Sequence, residues 1–191
     1  MIDKMIIDAD LCMKLGSSNK YAYLYDILPR ISKEIYMHRH TYSEVMMPES
    51  AVRQLRKLVN EQKVQIVSEE ELPKEYQAIF NATYAKLARV MIDPRRPNKN
   101  KGEVCALAYA KTAHIPVFAT DEKDLQAIID MQLNTGIGTD ITCIRIVDII
   151  TKAHNTEIDI PRKVCKALWV MAGKRKEVFD EKIWPLMVGD K

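Results

Sequence analysis

MIIDADLCMKLG, residues 5–16, and GEVCALAYAKTAHIPVFATDEKDLQ, residues 102–126, place the same parts in opposite order. In the first, the apolar run Met5-Ile6-Ile7 ends at Asp8, and Leu11 and Leu15 then fall at helical spacing before Gly16. A short apolar run of this kind reads as a buried strand whose last residue emerges at the sheet edge. In the second, a helix over 103–112 crosses into the apolar run 115–119, which ends at Thr120-Asp121. Two strands each closed by an acid and each flanked by a helix imply parallel pairing, because parallel strands need crossover connections.

The flanking sequence continues the alternation. Leu24, Ile27, Leu28 and Ile31 predict a helix over 21–32, with Pro29 inside it, and residues 34–42 alternate polar and apolar as a strand does. Pro48-Glu49 opens a helix to about residue 62, with Val52, Leu55, Leu58 and Val59 on one face, and a strand follows over 64–67. A longer helix over 74–92 carries Tyr76, Ile79, Phe80, Leu87 and Val90 at three- and four-residue steps and stops at Asp93-Pro94. After Asp121 the pattern predicts a helix over 122–130, a loop at Gly136 and Gly138, a strand over 141–146 and a helix over 147–153. Pro161 then starts a helical tail with Val164, Leu168 and Met171 on one face, broken at Gly173. The fold expected is an α/β three-layer sandwich, helices on both faces of a central parallel sheet. It comprises a domain over 1–155 and a C-terminal helical extension over 156–191.

At 191 residues, with 47% hydrophobic and 29% charged positions, the chain can bury a core and is not compositionally disordered. Cys12, Cys105, Cys143 and Cys165 are scattered and form no CxxC, which excludes a zinc knuckle or a disulfide framework and suits a reducing cytoplasm. Asp3, Asp8 and Asp10 interrupt the apolar N-terminus, which argues against a secretory signal, and no run is long enough to span a membrane. A net charge of +3 demands no nucleic-acid partner but permits one where the positive charge is clustered. No Gly-rich loop follows the first strand and no Walker lysine is present, which counts against a nucleotide-binding α/β protein.

Ligands of open parallel sheets bind outside the carboxyl ends of the strands, which makes Asp8 and Asp121 the first functional candidates. Glu103 joins them from the head of the helix that precedes the Asp121 strand. Singly, each acid could do no more than cap backbone N–H groups. Three carboxylates that converge repel one another unless they share a hard divalent cation, with Mg²⁺ or Mn²⁺ the natural occupant.

These two segments, with Pro48-Glu49-Ser50-Ala51-Val52-Arg53-Gln54-Leu55 between them, resemble the PIN-domain nucleases over roughly residues 4–130. The resemblance implies a metal-dependent ribonuclease, of a toxin–antitoxin pair or of RNA processing, that hydrolyses phosphodiester bonds. It puts the metal-binding and catalytic acids at Asp8, Glu103 and Asp121, with Glu122 and Asp124 as rivals for the last position and Asp124 a further metal ligand. Thr120 would orient a carboxylate beside the substrate. The family's pattern is broken at Gln54, an amide where an acid is common, with Glu49 a candidate substitute. That departure keeps open a degenerate domain that binds RNA or a protein partner without cutting. RNA, a cognate antitoxin and a second copy of the chain are the partners implied.

RRPNKNK, residues 95–101, places Arg95, Arg96, Lys99 and Lys101 immediately before Glu103, where an RNA backbone would approach; the alternative is a solvated loop. His38 and His40 lack a carboxylate or Cys at ligand spacing and read as an exposed or core-edge pair on a strand. Trp169 and Met171 read as core or tail docking. Tyr21, Tyr23 and Tyr25 could stack on bases, or divide between a packed and an exposed face.

Overall fold

A computed structural model describes residues 1–136, 138 and 140–186. Its centre is a five-stranded, all-parallel sheet in the order β3-β2-β1-β4-β5, built from β1 (Ile2–Ile7), β2 (Ser32–His38), β3 (Gln65–Val67), β4 (Val117–Ala119) and β5 (Thr142–Ile144). The alternation of side chains along a strand divides β1 between two cores. Met5 and Ile7 pack with Ile35, Met37 and Ala119 on one face. Ile6 packs with Phe118 on the other. These side chains are essentially inaccessible to solvent, and the larger ones each contribute roughly 1.5–3 kcal/mol by burial.

The first face is covered by α1 (Ala9–Leu15), α2 (Tyr23–Ile31), α4 (Glu49–Asn60), α8 (Ile146–His154) and α9 (Arg162–Met171). The second is covered by α5 (Lys74–Met91), α6 (Lys101–Thr112) and α7 (Leu125–Gln132). This is the three-layer α/β sandwich expected. The chain beyond residue 155 also feeds the first core, through Ile158, Ile160, Cys165, Leu168, Trp169 and Phe179. Short helical turns, Lys176–Val178, Phe179–Ile183 and Trp184–Leu186, follow α9, while residues 187–191 of the expected extension lie outside the described residues. Among the described residues no helix is long and apolar enough to cross a membrane.

Close approach, rather than a special backbone angle, explains Gly16 at the end of α1. A Cβ there would lie 2.4 Å from both Cα and Cβ of Ala51 on α4, and the Gly16 carbonyl accepts from Ser50 Oγ at 2.6 Å.

Three local expectations are corrected. The strand expected over 34–42 ends at His38, and Arg39–Glu44 forms a short helix, α3. His38 turns the chain: its Nδ1 accepts from the N–H of His40 at 3.2 Å, and Thr41 Oγ1 is anchored on the Gly102 carbonyl at 3.1 Å. His38 is therefore a buried capping residue whose ring stacks on His40 at 5.6 Å, the core-edge rather than the exposed form of the expected pair, and its burial lowers the imidazole pKa. On α5 the periodicity is real, but only Phe80, Leu87 and Met91 are buried, whereas Tyr76, Ile79 and Val90 are exposed. The helix expected from 122 begins at Leu125, because the N–H of Glu122 turns back onto Thr120 Oγ1 at 3.2 Å and holds the intervening acids in a loop.

Candidate functional site

Strand order makes β1 the hinge of the topology: the chain moves outward through β2 and β3 on one side, then returns to β4 and β5 on the other. The crevice at the carboxyl ends of β1 and β4 is the switch point where open α/β sheets take ligands. Register brings the two candidate strand ends level there. Ile7 pairs with Ala119, and the N–H of Asp8 continues the ladder onto the Ala119 carbonyl at 2.9 Å.

Asp8 is buried, 6% exposed. Its Oδ1 accepts from the Ala9 N–H at 2.8 Å, and Thr120 Oγ1 donates to Oδ2 across a long 3.4 Å. Burial, opposed by the Ala9 hydrogen bond and assisted by the charges of Asp10, Glu44 and Glu122, pushes the carboxyl up to about 6. Thr120 thus stands where an orienting hydroxyl is expected, fully buried between the Asp8 carboxylate and the Glu122 backbone.

Glu103 projects from the first turn of α6 and is 7% exposed. Its Oε1 has no hydrogen-bond partner, an arrangement that buried carboxylates avoid because desolvation is then uncompensated. Burial first, then the charges of Asp8, Glu122, Glu44 and Asp10, raises it to about 8. The Asp8 charge therefore reaches Glu103 despite their separation in sequence.

Sequence reading missed Glu44. It ends α3, and its Oε1 accepts from the Gly102 N–H at 3.2 Å. The carboxylate occupies the space of a Gly102 side chain, since a Cβ there would meet Oε1 at 2.5 Å. Glu44 is solvent-exposed, yet partial desolvation of its carboxyl raises its pKa, and its charge acts on both Asp8 and Glu103. A lone acid at the end of a six-residue helix carries no sequence signal; only the packing of α3 on the head of α6 brings it here.

Gln54, where the resemblance leaves an amide, does not face this cluster. It is buried between α2 and α1, with Oε1 accepting from the Tyr25 N–H at 3.3 Å and Nε2 donating to the Gly16 carbonyl at 3.4 Å. An amide suits that place because it must both accept and donate. Glu49 is exposed and lines a separate cleft with Arg53, Arg56 and Lys57.

Asp121 is engaged by a cation and is not among the charges acting on Asp8 or Glu103: Lys14 Nζ is 2.9 Å from its Oδ2 and 2.7 Å from Asp10 Oδ2. Glu122 is exposed and contributes charge to both buried acids, whereas Asp124 stands exposed before α7 and is not among the charges acting on them. Arg95, Arg96 and Lys99 are exposed on the loop leading into α6, and Lys101 is half-buried at the start of that helix.

The residues that could hold a hard cation are Asp8, Glu103 and Glu44, all oxygen donors of the kind Mg²⁺ and Mn²⁺ prefer. The orphaned Oε1 of Glu103 fits that use. As placed, no three His, Cys, Asp or Glu side chains among the described residues are gathered tightly enough to enclose one ion. Comparison of the chain with protein-family models, with curated proteins and with solved structures finds no match.

Proposed function

We propose that the chain is a divalent-cation-dependent nuclease of the PIN type that hydrolyses RNA phosphodiester bonds at the Asp8–Glu103 crevice. One observation carries this reading: two buried carboxylates, Asp8 at the switch-point end of β1 and Glu103 in the first turn of α6 with no partner for Oε1, lie close enough that the Asp8 charge raises Glu103. Ionising both groups there is costly, and a cation between them would offset that cost. Asp8, Glu103 and Glu44 would hold Mg²⁺ or Mn²⁺. When bound, the cation neutralises phosphate charge and lowers the pKa of a coordinated water. Thr120 holds the Asp8 carboxylate in orientation, and Lys14 pairs with Asp10 and Asp121.

Asp8→Asn tests the reading. Mn²⁺-dependent cleavage of single-stranded RNA should disappear while the cooperative thermal unfolding of the variant persists; undiminished cleavage would remove Asp8 from the site.

The Lys14 ammonium also favours a second reading, a domain that binds RNA or a protein partner without hydrolysis, because it neutralises Asp121 from within the chain. RNA binding with no Mn²⁺-dependent product would select it.

A further inference from the structure

Tyr21, Tyr23 and Tyr25 alternate in the sequence, and the fold sends them to different tasks. Tyr25 is fully engaged: its hydroxyl donates to Glu61 at 2.8 Å and accepts from Lys63 at 2.9 Å, with Lys57 Nζ 4.0 Å from the ring centroid. Tyr21 and Tyr23 turn the other way. Their ring centroids are 5.4 Å apart and the planes are inclined by 31°; Tyr21 is 46% exposed.

These two rings form one wall of a groove of about 750 Å³ whose other wall is α9, with Val164 and Val170 among its apolar lining. Lys163, Lys166 and Lys176 also line it. Lys166 is held, with Arg162, by Asp180. Lys163 and Lys176 make no ion pair among the described residues, although the Lys176 charge acts on Asp180.

Beyond the last turn of α9, Ala172, Gly173 and Lys174 line a second pocket, of about 390 Å³, together with Asp121, Lys123 and Arg145. One helix therefore borders the tyrosine groove along its side and, at its terminus, a pocket that Asp121 lines. Three cations gathered next to acids match a strand that must bring a phosphate to a negatively charged site. Aromatic rings over an apolar floor match flat bases, which every nucleotide presents and which duplex pairing hides.

We propose that the groove between Tyr21, Tyr23 and α9 seats unpaired bases of a single RNA strand, and that Lys123, Arg145 and Lys174 conduct its backbone to the carboxylates. The inference rests on the nuclease reading for the direction of the strand, and on the groove itself for the choice of single-stranded RNA.

The test is fluorescence anisotropy with labelled decauridylate in EDTA, where no cleavage intervenes, with an RNA duplex as comparison. The double variant Tyr21→Ala, Tyr23→Ala should bind decauridylate at least about fivefold more weakly, since base stacking on an aromatic ring is worth roughly that much or more for each base. Tyr21→Phe, Tyr23→Phe should retain binding, because stacking needs the ring and not the hydroxyl. Lys163→Ala with Lys176→Ala should flatten the log–log salt dependence by about 0.7 for each phosphate that is no longer neutralised.

Undiminished binding by the alanine pair overturns the proposal, as does an equal loss for duplex, or a phenylalanine pair as weak as the alanine pair. Failure of the wild type to bind decauridylate also overturns it, and leaves the groove to a protein segment. Mn²⁺-dependent cleavage by the wild type, measured alongside, separates the two readings. Tyrosine-dependent binding without cleavage keeps the groove and sinks the nuclease, whereas cleavage with tyrosine-independent binding does the reverse.

Discussion

Replacing Glu103 by Gln should stabilise the protein increasingly as pH rises. The side chain titrates near 4.5 when unperturbed and is pushed up to about 8 in the fold, by burial and then by the neighbouring carboxylates. A carboxyl whose folded pKa is raised favours the fold while protonated. Its contribution is fully present below the unfolded value and is lost as pH rises through the folded one, because the unfolded chain releases its proton first. At about 1.4 kcal/mol for each pH unit of displacement, the full loss is on the order of 5 kcal/mol. Roughly half of it, about 2–3 kcal/mol, falls between about pH 6 and about pH 9. Glutamine keeps the shape and cannot ionise, so the variant escapes this loss.

Urea unfolding of both proteins across that interval reads the effect directly. The stability difference, variant minus wild type, should widen by about 2–3 kcal/mol, while Asp8 titrates in both proteins and cancels to first order. Mn²⁺ at a hundredfold excess over its dissociation constant should return about 2.7 kcal/mol to the wild type at the alkaline end and less to the variant. A difference that stays flat from about pH 6 to about pH 9 would refute the reasoning, since Glu103 would then ionise without cost and its carboxylate must have a partner or water.

Neutralising Arg95, Arg96, Lys99 and Lys101 together should weaken RNA binding and reduce its log–log salt slope by about 0.7 for each phosphate these side chains neutralise; an unchanged slope would assign the loop to solubility alone. Gly16→Ala should destabilise the fold by about 1–3 kcal/mol in urea, because its Cβ would overlap Ala51 and force α1 and α4 apart. Full stability of that variant would show that the two helices separate at little cost.

Sequence alone was enough for the α/β class, and for locating Asp8 and Glu103, because both depend on local order: an apolar run that ends in an acid, and an acid in the first turn of an Ala-rich helix. The same local logic placed Thr120-Asp121 at a strand end. It could not show that Lys14 engages Asp121, that Glu44 reaches Gly102, or that Gln54 is occupied between Tyr25 and Gly16, since each of these pairs elements distant in the chain. Periodicity likewise marked Tyr76, Ile79 and Val90 as one helical stripe without showing whether another layer covers it. The physical reason is common to all: spacing along the chain fixes which side chains share a face, whereas the strand order β3-β2-β1-β4-β5 and the packing of α3 and α9 decide which faces meet. A buried carboxylate acquires its raised pKa only at that second stage.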